Sequence, residues 1–244
     1  MWPKDGITKA DFIDYYIKMA PVIIPHLKGR PIVFTRYPDG IGGKSFYQKN
    51  APAYAPSWLK TYDIPSSEKI MRYVAVEDLE SLLWAAHQAC IEIHPWLSRA
   101  QTLEFPDYAV FDFDPMEDTD FDDAREIALA LRRLLDLQGL AGFPKTSGAT
   151  GLQVYVPIQP IYTYEQVRNF VWFFCRALED TFPKRTTTER NIEKRDGKLY
   201  LDYLQNVRGK TIISPYSPRP VKGASVSCPV TWEELEQGVR PSQF

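Results

Sequence analysis

Two carboxylates stand two residues apart in Phe111-Asp112-Phe113-Asp114-Pro115, directly after the apolar pair Ala109-Val110. Side chains of a β-strand alternate between faces, so Asp112 and Asp114 share one face and Phe111 and Phe113 the other. Acids held that close repel each other unless a cation lies between them. Oxygen ligands of this kind suit hard ions such as Mg²⁺ or Mn²⁺. The same residues admit a plainer arrangement, with Asp114-Pro115 opening a turn and Asp112 solvated at a sheet edge. A third acid, Asp202, lies within Leu199-Tyr200-Leu201-Asp202-Tyr203-Leu204. A carboxylate buried in so apolar a strand is costly unless paired or metal-bound; an edge-strand acid facing water is the alternative. Two acids on one strand and one on another form the pattern of two-metal phosphoryl-transfer sites, where the cations clamp the attacking and leaving oxygens.

Phosphate chemistry has further candidates. Lys145-Thr146-Ser147-Gly148-Ala149-Thr150-Gly151 precedes a strand-like segment. Its glycines allow backbone N–H groups close to an anion, and Ser147 and Thr150 add hydroxyls, as in a phosphate-binding nest. The spacing is not that of a Walker loop, and small Gly/Ser turns also serve as plain hairpin connectors. Arg36, Lys49, Arg195, Lys198, Arg208, Lys210 and Arg219 supply cations, several beside aromatics, as in Phe46-Tyr47-Gln48-Lys49 and Pro215-Tyr216-Ser217-Pro218-Arg219. Aromatic faces can stack on bases while cations take the backbone; solvated charge beside core aromatics is the bland alternative. His94 ends the apolar run of Glu92-Ile93-His94-Pro95-Trp96 and fits a satisfied core histidine as well as a functional one.

Periodicity supplies the elements that must position these residues. A capping box, Thr8 to Asp11, predicts a helix to about Met19. Helical spacing recurs over Glu77 to Cys90, Phe121 to Leu137 with Gly139 as its stop, Tyr164 to Leu178, and Trp232 to Gln237. Strands are predicted over Pro31 to Arg36, Ser45 to Lys49, Ile70 to Val76, Tyr108 to Asp114, Leu152 to Val156 and Leu199 to Leu204. Helices and strands interleave, with several strands close enough for hairpins, so a mixed-sheet α/β fold is expected over a doubly wound parallel one. A chain of 244 residues, 44% hydrophobic and 25% charged, can build one large domain or two small lobes. The formal charge of −2 rules out a generally cationic surface, so nucleic acid would need a local basic patch. The three cysteines (Cys90, Cys175, Cys228) form no C-x-x-C pair and indicate neither a zinc site nor a disulfide framework. With no signal peptide and no apolar run of about 18 residues, a soluble protein of the reducing cytosol is expected.

Many of these segments, in this order, resemble the polymerase domain of bacterial ATP-dependent DNA ligase D, of the archaeo-eukaryotic primase superfamily. The resemblance runs almost end to end. It is carried by Trp2 to Lys9, Arg36-Tyr37-Pro38-Asp39-Gly40, Phe46 to Lys49, Glu92 to Trp96, Phe111 to Pro115, Lys145 to Gly151, Leu201 to Asn206, and Gly209-Lys210-Thr211 through Arg219. It implies an α/β primase-polymerase fold spanning residues 1–244 as a single domain: a mixed catalytic sheet of RNA-recognition-motif type flanked by helices, with a second, smaller β-rich part. It implies that Asp112, Asp114 and Asp202 are the catalytic, metal-binding acids. Ser147, Gly148, Thr150 and Gly151, with Arg219, would hold the triphosphate; Gln153, Arg195, Gln205 and His94 would line the same pocket. Phe46 or Tyr47 would stack near the incoming base pair, with Arg36 and Lys49 nearby. Lys9 would recognise a 5′-phosphate on the DNA beyond a gap.

The activity so implied is a metal-dependent nucleotidyltransferase. It would fill gaps and extend ends in non-homologous end joining, with Mn²⁺ or Mg²⁺, nucleoside triphosphates and a preference for ribonucleotides. Its partners would be gapped or broken duplex DNA carrying a 5′-phosphate, Ku and a DNA ligase module, in the bacterial cytoplasm at the nucleoid. A non-catalytic DNA-end-binding module and a nuclease are the rival readings. Two departures stand out. Gln153 takes the place where most relatives carry His, removing a group that could become cationic. The chain also starts at Met1-Trp2, where relatives begin upstream with a lysine-bearing segment, so a fragment of a larger ligase is expected.

Overall fold

The computed structural model describes residues 1–66 and 69–244. The chain divides into two compact units, residues 1–101 with 211–227 and residues 102–210 with 228–244.

The first unit opens on helix α1 (Lys9–Leu27), with the Thr8–Asp11 capping box in place. The helix runs on past Met19 through Pro21 and Pro25, correcting the shorter prediction. Both prolines lie on its exposed side, as does Ile17, so the carbonyls they leave unpaired can meet water. Phe12, Tyr16, Ala20, Ile23 and Leu27 repeat every three or four residues on the buried side and hold the extra turns down. Strands β1 (Ile32–Arg36), β2 (Phe46–Gln48), β3 (Thr61–Pro65) and β4 (Ile70–Val74), helix α2 (Leu79–His87) and β5 (Cys90–Pro95) follow. The predicted α2 ended too late, because Cys90 already belongs to a strand. All five strands pair antiparallel, β1 taking β5 on one edge and β2 and β4 on the other. Ile32 and Phe34 of β1 and Ile91 and Ile93 of β5 face a core shared with α1 and α2. Thr35, Tyr47, Glu92 and His94 therefore share the opposite face.

The second unit holds β6 (Tyr108–Asp114), α3 (Phe121–Leu137), β7 (Phe143–Thr146), β8 (Leu152–Pro157), α4 (Tyr164–Thr181), β9 (Thr186–Thr187), β10 (Leu199–Leu201) and α5 (Trp232–Glu236). Its sheet runs β7-β8-β6-β10-β9, antiparallel except for the β9–β10 pair. Phe111, Phe113, Leu152, Val154 and Leu201 pack with α3 and α4 into one core. The polar half of the β6 pattern consequently lies on the face away from the helices. The bounds of β6 and α3 are those the sequence predicts. β10 is shorter than predicted. Asp202 leaves the strand to cap a 3₁₀ turn, Tyr203–Gln205, its side chain accepting from the Leu204 N–H. The mixed α/β architecture with antiparallel sheets is the expected fold class. Among the described residues no helix is long and apolar enough to cross a membrane.

Candidate active site

β6 lies inside the second sheet, and its register sets the neighbours of each acid. Asp112 pairs with Gln153 on β8, and Gln153 with Lys145 on β7, so the three side chains stand abreast on the polar face. On the other side the Asp202 N–H donates to the Asp112 carbonyl at 2.9 Å. Asp112, Asp114 and Asp202 thereby converge, each offering an oxygen within 4.8 Å of the others. Asp202 Oδ1 accepts from the Leu204 N–H at 2.9 Å and from the Tyr200 hydroxyl at 3.1 Å, which fixes the plane of its carboxylate.

Asp112 is 9% exposed. Burial pushes its carboxyl well above the usual range; the charges of Asp114 and Asp202 add to this, against the Gln153 hydrogen bond and the Lys145 charge. Its Oδ1 is buried and receives no hydrogen bond from the protein. An acceptor oxygen left bare among three carboxylates fits a hard cation with oxygen ligands, the donor set that Mg²⁺ and Mn²⁺ take.

The Ser147–Gly151 turn closes the β7–β8 hairpin beside this cluster. The Ser147 N–H donates to the Gly151 carbonyl at 2.8 Å, and Ser147 Oγ accepts from the N–H groups of Ala149 (3.2 Å) and Gly151 (3.0 Å). Gly148 has φ of 75°, the left-handed region that favours glycine. Gly151 is required for a different reason: a Cβ there would sit 2.8 Å from the Phe113 carbonyl oxygen and 3.4 Å from Asp114 Oδ1. Gly151→Ala should lower stability by about 1–3 kcal/mol, since backbone must shift. Thermal melting of the purified variant beside wild type would check this.

Gln153 is not an open amide facing solvent. It is 4% exposed, and its Oε1 accepts from Lys145 Nζ, itself 2% exposed. Lys145 Nζ also donates to the Thr146 carbonyl at 3.2 Å. A histidine at 153 would meet the Lys145 cation, which opposes protonation of the ring. Gln205 is buried on the 3₁₀ turn after Asp202. Arg195 donates to the carbonyls of Glu189 and Arg190, and its guanidinium lies 3.5 Å over the Tyr200 ring. Tyr200 thus touches both a candidate phosphate-binding cation and a candidate metal ligand. Its place two residues before Asp202 was the available sequence signal. Thr150 is exposed at the tip of the turn.

Arg36, Phe46, Tyr47, Lys49, His94, Arg219 and Lys9 belong to the first unit. Arg36 donates to the Gln88 carbonyl (2.8 Å), Gln88 Oε1 (3.0 Å), Gln48 Oε1 (2.8 Å) and the Tyr54 hydroxyl (2.9 Å), and lies 5.2 Å over the Phe46 ring. Lys9 Nζ donates to the His87 carbonyl at 2.7 Å. Both cations therefore sit at the C-terminal end of α2, where carbonyls lack helical partners. Phe46 and Tyr47 are large exposed aromatics, and Tyr47 lies 5.4 Å from the His94 ring. Lys49 is exposed just after β2. His94 Nε2 lies 3.1 Å from Thr35 Oγ1, and Arg219 pairs with Glu92, a residue to which sequence reasoning gave no role.

An α/β fold with three converging acids beside a glycine turn has the residue types that two-metal phosphoryl-transfer sites use, and comparison with known proteins gives the family. The family model described as the LigD primase-polymerase domain matches residues 8–244. The chain belongs to that family. It is 39% identical over 245 residues to the bifunctional non-homologous end joining protein LigD of Bacillus subtilis (strain 168), covering 100% of this chain and 39% of that protein. It is 34% identical to the multifunctional non-homologous end joining protein LigD of Mycolicibacterium smegmatis, covering 96% of this chain and 31% of that protein. The chain thus spans well under half the length of these relatives. Among solved structures, the polymerase domain from Mycobacterium tuberculosis ligase D in complex with DNA matches with a TM-score of 0.91 and 32% identity, covering 98% of this chain and 86% of that one.

Proposed function

We propose that this chain is a single primase-polymerase domain that adds nucleotides to a primer at a DNA gap or broken end. The observation that carries the reading is the bare, buried Asp112 Oδ1 among three converging carboxylates. Asp112, Asp114 and Asp202 would hold Mg²⁺ or Mn²⁺. A bound divalent ion supplies a lower pKa for the primer 3′-hydroxyl and charge neutralisation for the departing pyrophosphate. Tyr200 and the Leu204 N–H keep Asp202 in its orientation. The Gln153 amide, anchored by Lys145, does the same for Asp112. Ser147, Gly148, Thr150 and Gly151 hold phosphate, with Arg195 and Gln205 in the same unit. Arg219 and His94 are the proposed phosphate contacts of the first unit, and Phe46 or Tyr47, which leave opposite faces of β2, is its proposed base-stacking side chain, with Arg36 and Lys49 nearby. Lys9 is the proposed reader of a downstream 5′-phosphate.

DNA as partner is supported by the complex of the M. tuberculosis domain with DNA, and end joining by the names of the full-length relatives. Ku and a ligase module are the proposed companions, in the bacterial cytoplasm. The test is a labelled primer in a gapped duplex, incubated with the protein, Mn²⁺ and each ribo- or deoxyribonucleotide. Extension by one or a few nucleotides, faster with ribonucleotides, is expected. Binding without extension would mark a DNA-end-binding module, and a shortened primer a nuclease.

A further inference from the structure

Tyr200 is a large polar side chain, 4% exposed, that turns away from the apolar core. It lies on β10 directly opposite Asp114 of β6, so the two side chains leave the sheet on the same face, while its neighbours Leu199 and Leu201 enter the core. Its two ends meet different partners. The hydroxyl donates to Asp202 Oδ1 at 3.1 Å. The ring lies under the Arg195 guanidinium, whose carbon is 3.5 Å from the ring centroid. Arg195 is fixed on its other sides as well. Its Nε donates to the Glu189 carbonyl at 2.9 Å, one terminal nitrogen donates to the Arg190 carbonyl at 3.1 Å, and the other lies 3.7 Å from the sulfur of Met116, which closely follows Asp114. The turn after Arg195 is packed just as closely. Asp196 and Gly197 have φ of 50° and 69°, and a Cβ on Gly197 would collide with the Asp118 carboxylate. All of these residues belong to the second unit.

A guanidinium is flat and stacks on an aromatic face, which fixes its plane without consuming an N–H group. A donor on one oxygen of a metal-binding carboxylate orients the other, and partners of this kind set metal affinity. We propose that Tyr200 is a positioning residue with two separable tasks: its hydroxyl sets Asp202 for the divalent ion, and its ring sets Arg195 for a phosphate oxygen of the incoming nucleotide. One side chain then ties the place of the cation to that of the metal ligand. This rests on the assignments of Asp202 to the metal and of Arg195 to the nucleotide.

Substitution separates the two tasks. Tyr200→Phe keeps the ring and loses the hydroxyl. It should raise the Mn²⁺ Kd about tenfold, measured without nucleotide by electron paramagnetic resonance of the free ion, and leave the nucleotide Kd at saturating Mn²⁺ within about twofold of wild type. Tyr200→Leu loses both groups and should in addition raise the nucleotide Kd about fivefold. Arg195→Lys keeps the charge and gives up the flat stack without altering the core; it should raise the nucleotide Kd to the same extent and leave the Mn²⁺ Kd within about twofold. Titration of a fluorescent nucleotide supplies its Kd without turnover, and thermal melting shows that each variant is folded. A Tyr200→Phe protein with wild-type Mn²⁺ affinity, or one that loses nucleotide affinity as far as Tyr200→Leu does, would overturn the proposal. In an Arg195→Ala background, Tyr200→Leu should add less than about twofold to the nucleotide Kd. A full fivefold addition there would overturn the proposal alone. An Arg195→Ala protein with wild-type nucleotide affinity, or an Asp202→Ala protein with wild-type Mn²⁺ affinity, would overturn the assignment beneath the proposal and the proposal with it.

Discussion

Asp112→Ala and Asp202→Ala should each abolish nucleotide addition, slowing it by at least a thousandfold, while affinity for a gapped duplex should change less than threefold. A thousandfold loss is about 4 kcal/mol of transition-state stabilisation. That is the scale on which fixed charge at the reacting phosphate operates. Asp112 presents its bare Oδ1 to a ligand at the cluster. Asp202 has two donors on one oxygen already, so its variant also releases the turn at Leu204. Asp202→Asn keeps an acceptor for that turn and separates the two effects. Rapid-quench extension gives the rate, and fluorescence anisotropy the DNA affinity. Extension within tenfold of wild type by either alanine variant would remove these acids from the mechanism.

The same cluster should make the metal-free protein less stable than a variant that relieves it. Three carboxylates within 4.8 Å repel each other, and Asp112 is the one buried. Saturating Mn²⁺ should raise the melting temperature, since a ligand at a hundred times its Kd contributes about 2.7 kcal/mol. Asp112→Asn should raise the melting temperature of the metal-free protein by roughly 4–8 °C, the shift that about 2 kcal/mol produces at this size, and should cancel most of the Mn²⁺ gain. The pH dependence follows from the raised carboxyl of Asp112. The folded state binds this proton more tightly than the unfolded chain does. Its contribution is full below the unfolded value near 3.8 and is lost as pH rises through the folded one. Metal-free wild type should therefore gain from acidification relative to Asp112→Asn, and the Mn²⁺ gain should shrink as protons compete. Melting curves at three pH values, with and without Mn²⁺, test this. An Asn variant no more stable than wild type without metal would show that the three charges are already relieved.

Much of this was legible in the sequence where one physical signal acted alone. β6 follows from strict alternation of apolar and acidic residues. α3 follows from its amphipathic period and the Gly139 stop, and the structure adds an Asp120 capping box. Signals misled where two competed. The predicted α1 stops near Met19, yet the buried stripe through Ile23 and Leu27 carries it past Pro21 and Pro25. β7 is absent from the predicted strands; it carries Pro144, which is tolerated because β7 is an edge strand. β5 was missed because it is buried on both faces, so Glu92 and His94 interrupted an apolar run instead of marking a solvent face. The acids and the glycine turn are visible as residue types at fixed spacing. The roles of Lys145 and Tyr200 come from strand register and long-range packing. Spacing along the chain does not encode which strand lies beside which.

The three acids are expected to serve nucleotide addition through a divalent cation. This is tested most directly by single-turnover extension of a gapped primer as Mn²⁺ is titrated, for wild type and Asp112→Asn side by side. No extension in chelator, a saturable rise with Mn²⁺ for wild type, pyrophosphate released in step with primer lengthening, and no rise for Asp112→Asn is the predicted result. Undiminished extension in chelator, or equal rises for both proteins, would contradict it.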